Sequence, residues 1–203
     1  MTRSSSDIAC GAEPLLAHMQ RRAHSAPRRL LEPGPDAAQR RQLFDAAASA
    51  PDHGRILPWR LICVERAARP RLADAFEQAL LERTPDADAQ DRARARERAQ
   101  HAPFLALAVL RDAGDGHEHI PPLERAISLG AALQNLLLMA HAQGFAAGLV
   151  SGRALQSEAL RACFGLARHE RAVCFIAIGT AERAPPPRER PCAQRFVSEL
   201  RPG

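Results

Sequence analysis

A chain of 203 residues is long enough to bury one sizeable hydrophobic core, and one domain is the simplest reading. Hydrophobic residues make up 46% but aromatics only 4%, with no tyrosine, so the apolar content is largely alanine and suits close-packed helices better than an aromatic-filled sandwich. The net charge of +5 comes from arginine in a chain without lysine. No arginine cluster interleaves with aromatics and no zinc finger or helix-turn-helix emerges, so the basic balance reads as compositional rather than as a nucleic-acid footprint.

No run reaches the length of a membrane span, and the first residues lack a basic-then-apolar signal pattern. A cytoplasmic protein without a membrane partner is expected. Cys10, Cys63, Cys163, Cys174 and Cys192 are odd in number and show no C-x-x-C spacing, so neither a disulfide framework nor a zinc site is supported.

In chain order, residues 1–11 read as a polar, poorly ordered leader, and residues 12–203 as the single domain. A helix is predicted over 12–22, with Leu15, Leu16 and Met19 on one face. Pro27 and the 32–35 segment break the chain. Asp36 then suits the N-cap of a helix running to residue 48. Residues 59–65 read as a buried strand, 67–82 as a helix, and 86–100 as a solvated helix or mobile flap, since its surface is nearly all charged. A continuous apolar strand is predicted over 104–111. The segment 122–143 is the strongest helix and is apolar almost all round, which implies burial on every side or in a subunit interface. A short strand or extended loop over 145–150, a capped short helix over 157–163 and an apolar strand over 172–180 follow. A proline-rich tail over 184–191 leads to Phe196 and Val197.

The densest segment lies between the second helix and the first long strand. Ala50-Pro51-Asp52-His53-Gly54-Arg55-Ile56-Leu57-Pro58-Trp59-Arg60 carries an imidazole, two guanidiniums and the only tryptophan, pinned by prolines. Such a loop suits holding a ligand as well as connecting two elements. No G-x-G-x-x-G or P-loop is present, which argues against a Rossmann or P-loop enzyme, and no G-x-S-x-G elbow supports a hydrolase. Asp115-Gly116-His117-Glu118-His119 alternates two histidines but offers no third well-placed ligand, so no metal is assigned.

Ala50-Pro51-Asp52-His53-Gly54-Arg55 followed by Pro58-Trp59-Arg60 resembles the signature loop of the small flavin-dependent nitroreductases, in particular their YdjA-like NAD(P)H nitroreductase branch. The similarity runs from about Arg21 to Thr180. It continues through Leu31-Glu32-Pro33-Gly34-Pro35, His101-Ala102-Pro103, Ile120-Pro121 with Glu124, Ser128-Leu129-Gly130-Ala131-Ala132, Ala142-Gln143-Gly144-Phe145 and Ile178-Gly179-Thr180. The resemblance implies an α+β nitroreductase-like fold, with a mostly antiparallel central sheet wrapped by helices. It implies an interlocked homodimer with shared flavin sites, FMN as cofactor and NAD(P)H as reductant. The electron acceptor would be a small nitroaromatic, quinone or related molecule.

Carried onto this chain, the family's phosphate ligands fall on Arg21 and Arg22, with the serine displaced to Ser25; His24, Arg28 and Arg29 are the alternatives. His53 matches the histidine that approaches the flavin from the partner subunit. Ser49 stands where relatives can place an arginine, and Arg55 is close enough in sequence to replace it. Trp59 reads as a core wall. Beside the flavin ring, Leu149-Val150-Ser151-Gly152 replaces a Trp-Arg/Lys-Ser/Thr-Gly pattern, so a cation is lost at Val150 while Ser151 and Gly152 are kept. No side chain need act as a nucleophile, because the flavin carries the electrons. Two other readings are a flavin-binding protein with little redox turnover, suggested by Leu149-Val150, and a basic nucleic-acid-associated protein, suggested only by the charge.

Overall fold

The computed structural model describes the backbone of residues 5–183 and 189–201, with side chains from Ala12 onward. Helix α1 (Ser5–Arg21) contains Pro14 and begins ahead of the start expected at residue 12, so Ser5 to Gly11 of the expected leader are helical. The short strand β1 (Leu30–Leu31) precedes α2 (Ala37–Ala48). A reciprocal cap opens α2: Asp36 Oδ1 accepts the Gln39 N–H at 2.8 Å, and Gln39 Oε1 accepts the Asp36 N–H at 2.9 Å. Strand β2 (Trp59–Cys63), helices α3 (Arg69–Leu81) and α4 (Ala89–Glu97), strand β3 (Phe104–Arg111) and the long helix α5 (Pro122–Ala142) follow. The chain continues through β4 (Ala146–Val150), α6 (Glu158–Phe164) and β5 (Glu170–Ala181). Ser157 caps α6 by accepting the Leu160 N–H at 3.1 Å.

The strands form one antiparallel sheet in the order β1-β5-β3-β2, with β4 also paired to β5. Period-two alternation divides the core. Phe104, Ala106, Ala108 and Leu110 of β3 pack with Leu43 of α2 and Leu129, Leu133 and Leu136 of α5. Leu105, Leu107 and Val109 point the other way, onto Leu72 and Ala75 of α3 and Leu160 of α6. Strand β5 repeats the pattern, with Cys174, Ile176 and Ile178 toward α5 and Phe175 and Ala177 toward α3. Ala108 pairs with Cys174 and Val109 with Ala172, so Val173 is the extra residue of a bulge.

One expectation changes and two open alternatives narrow. Strand β2 is a half-buried edge rather than a buried strand, because only β3 pairs with it. Helix α5 is not covered on every side: its inner face enters the core, while Leu123 and Ile127 are 71% and 60% exposed. Helix α4 is solvated but fastened, since Arg92 Nε and Arg96 Nη1 each lie 2.6 Å from the Glu77 carboxylate of α3. Of the proline-rich tail, residues 184–188 lie outside the described residues.

Candidate functional site

Between α2 and β2 the signature loop departs from ordinary backbone. Gly54, Arg55 and Leu57 have φ values of 72°, 54° and 45°. For the two non-glycine residues this costs on the order of 1–3 kcal/mol each, and such strain persists only where the surroundings hold it. Here Asp52 Oδ2 accepts the Leu57 N–H at 2.7 Å, Pro58 is fully buried, and Trp59 Nε1 donates to Ser128 Oγ at 3.3 Å. His53 Nδ1 lies 2.5 Å from Glu124 Oε2 in the first turn of α5, with both side chains open to solvent. Ser49, at the end of α2, donates to Ala46 O at 2.7 Å and accepts from Asn135 Nδ2 of α5 at 3.4 Å. The loop thus presents its imidazole outward along the α5 side.

On the α3 side of the sheet lies a cavity of about 580 Å³. That is within the range of small-molecule sites, roughly 300–1,000 Å³. Phe76, Leu105, Leu155 and Phe175 form its apolar wall, and Phe76 meets Phe175 edge to face at 5.6 Å. Its polar members are Arg28, Arg83, Arg98, Arg153, His101 and the stretch Val150-Ser151-Gly152 leaving β4. Two distant segments converge here because Gly148 has no side chain. A Cβ at that position would stand 2.2 Å from Ser25 O and 2.8 Å from His24 Cε1. Ser25 N–H donates to Ala147 O at 3.0 Å and His24 bridges Ala147, which lays residues 26–28 beside the end of β4. The opposite wall is fixed by the buried Arg69, whose Nη1 donates to Ala99 O at 2.6 Å and His101 O at 3.1 Å, and whose Nη2 donates to Ala102 O at 3.2 Å.

Val150 and Ser151 therefore line the cavity. Leu149, one residue earlier on the strand, faces the other way and packs on the α5-side core. Arg21, Arg22 and Ser25 line a separate cavity of about 220 Å³ with Leu137 and His141 of α5. Helix α1 ends at Arg21 and the chain then follows β4, so the arginine of this segment that reaches the large cavity is Arg28, one of the alternatives for the phosphate. Ser49 and His53 stand on the α5 side, away from the large cavity of their own protomer. Sequence reasoning misses Arg83, Arg98, His101 and Arg153. Arg153 follows the retained Ser151-Gly152, and His101 opens the matched His101-Ala102-Pro103, so both were within reach of a signal. Arg83 follows α3, and nothing local marks it. Asp115 of the His-rich segment is engaged by the buried Arg125 at 2.6 Å, which holds its carboxyl well below the usual carboxylate range.

An apolar slot beside four guanidiniums and a backbone stretch suits a planar ring system carrying an anionic tail. A model of the Nitroreductase family matches residues 19–180. The chain is 32% identical over 166 residues to a Haemophilus influenzae protein named "Putative NAD(P)H nitroreductase", covering 81% of this chain and 86% of the relative. It is 31% identical over 157 residues to Escherichia coli K12 "Putative NAD(P)H nitroreductase YdjA", covering 76% and 82%. Among solved structures, a Desulfovibrio desulfuricans protein described as a "putative nitroreductase in complex with fmn" superposes with a TM-score of 0.67 at 24% identity, over 93% of this chain and 98% of that one.

Proposed function

The chain belongs to the nitroreductase family, and from that membership and the large cavity we propose an FMN-dependent oxidoreductase that moves electrons from NAD(P)H to a nitroaromatic, quinone or related small acceptor. The observation that carries the reading is the meeting of Val150-Ser151-Gly152, an apolar Phe76–Leu105–Phe175 wall and four arginines in one cavity. This donor set fits FMN: guanidiniums for the phosphate, a greasy wall for the ring, and backbone amides at 150–152 as donors to ring heteroatoms. A subset of Arg28, Arg83, Arg98 and Arg153 would hold the anionic end, with Val150 and Ser151 beside the ring.

Once bound, FMN supplies a two-electron carrier between donor and acceptor. The protein's part is to position and to exclude water. The Phe76, Leu105 and Phe175 wall would keep water from one side of the ring, and residues 26–28, held by the Gly148 contact, border the same cavity. No side chain is required as nucleophile or general base.

The same proposal includes a homodimer with shared sites, a single FMN-binding domain over 12–203 and a cytoplasmic setting. In support of the dimer, Leu123 and Ile127 of α5 and Leu15 and Leu16 of α1 are more than half exposed, and His53 and Ser49 reach a flavin only if a partner holds it. Among the described residues, no helix is long and apolar enough to cross a membrane, and Cys63, Cys163, Cys174 and Cys192 are free thiols. Arg21, Arg22 and Ser25 enter the FMN site in this reading only by rearranging away from their own cavity. A second reading, flavin binding with little turnover, is favoured by the valine at 150.

The test is direct. FMN added to apoprotein should lose fluorescence and raise the melting temperature, and NAD(P)H should then bleach the bound yellow colour. Absence of uptake sinks the proposal; uptake with bleaching only by dithionite leaves the second reading.

A further inference from the structure

The large cavity holds more positive charge than FMN alone uses. Four of its fifteen lining residues are arginines and none is acidic, in a chain whose 28 basic and 23 acidic residues are nearly balanced. Elsewhere among the described residues several arginines find carboxylates, Arg60 with Glu170, Arg92 with Glu77 and Arg125 with Asp115 among them, while others such as Arg55 and Arg71 do not. Among the described residues Arg28, Arg83, Arg98 and Arg153 form no such pair, and Arg83 donates only to the Ala79 carbonyl, at 3.0 Å. All four are exposed to solvent. His101 on the same wall is pushed toward its neutral form, by burial first, against the Glu97 carboxylate 3.9 Å away, with Arg98 and Arg28 adding to the push.

A phosphate monoester brings about −1.5 to −2 charges, which leaves roughly two guanidiniums over. A cleft lined by one sign of charge concentrates the opposite sign and speeds its arrival by roughly 10- to 1,000-fold. The cavity, at about 580 Å³, is of small-molecule size, and its unpaired arginines offer a carboxylate charge-assisted hydrogen bonds. Resting on the flavin reading above, we infer that the acceptor is an anionic one-ring aromatic: a nitroarene bearing a carboxylate, drawn in by the arginines that the phosphate does not occupy. In its reduction NAD(P)H gives up two electrons and a proton, solvent gives a second proton, and one N–O bond breaks. The products are the nitroso compound, NAD(P)⁺ and water.

The probes are 4-nitrobenzoate and 4-nitrobenzamide, alike in ring and nitro group but differing in charge. Calorimetry on the FMN-loaded protein without reductant should show the carboxylate bound about tenfold more tightly. That ratio should fall toward one near 1 M salt, where the screening length is about 3 Å. It should also narrow in Arg83→Gln or Arg153→Gln, with the melting temperature reporting that each variant is folded. Equal affinities at low salt, or an unchanged ratio in both variants, overturn the inference while the flavin reading stands. Failure of the protein to take up FMN, seen in the flavin titration before any acceptor is added, overturns both.

Discussion

Val150 lines the cavity at the position where the family pattern holds a cation. Reduction builds negative charge on a flavin ring, and a fixed cation nearby stabilises it. Val150→Arg is therefore expected to raise the midpoint potential. An effect of about 1.4 kcal/mol corresponds to roughly 30 mV for a two-electron couple, within reach of dye-linked titration. Arginine is the informative choice, since its planar fork keeps its charge and offers paired donors. An unchanged potential in a folded, FMN-loaded variant would remove position 150 from the surroundings of the ring. At this scale the motif leads to Val150 and Ser151, and both line the large cavity. Leu149 of the same run packs on the other core, because strand alternation turns its side chain that way. Arg21 and Arg22 line the smaller cavity for a different reason. The path of residues 23–28 is set by the missing Cβ of Gly148, a contact between distant parts of the chain that no local pattern carries.

Among the elements, β5 joins most of the sheet, and its first residue carries a buried charge. Glu170 is 5% exposed, and its carboxylate receives Arg60 Nε at 2.7 Å, Arg60 Nη2 at 2.8 Å and the Ala167 N–H at 3.1 Å. The bidentate Arg60 contact is the main reason its carboxyl titrates below the ordinary range, against the opposing effect of burial. A carboxyl depressed in the folded state stabilises the fold above its unfolded value of about 4.3, and that contribution is lost as pH falls through the folded value. Glu170→Gln should therefore lower the melting temperature at neutral pH. It should also flatten the decline between about pH 5 and pH 3, measured by thermal unfolding across that interval. A variant whose melting curve shifts down in parallel with the parent at every pH would mean that this pair does not govern acid stability. Element boundaries are well written in the chain where caps or continuous apolar runs mark them, as at Asp36, Ser157 and Phe104–Arg111. The apolar run Leu61-Ile62-Cys63-Val64 cannot by itself distinguish an edge strand from a central one, and β2 is the edge.

For the whole molecule, α5 is the element whose apolar content exceeds what one protomer buries. Leu129, Leu133, Leu136 and Leu137 enter the core, and Leu137 is only 6% exposed, so a charge there would test the fold rather than the assembly. Ile127, 60% exposed, is the position that tests the proposed dimer. Ile127→Glu should yield a folded monomer by sedimentation equilibrium, with loss of FMN, since a carboxylate forced into an apolar interface without a partner is strongly disfavoured. A flavin-loaded dimer in that variant would exclude this face as the interface.

The outward pairing of His53 with Glu124, away from the large cavity, has a genetic consequence on the proposed dimer. A protomer altered at His53 keeps its own cavity intact, and a protomer altered in the cavity at Arg98 keeps its own His53. Each homodimer then carries two damaged sites. A mixed dimer carries one site with both defects and one with neither. Two inactive alleles expressed together should restore roughly a quarter of the parental activity, the share expected from random pairing in a two-fold dimer.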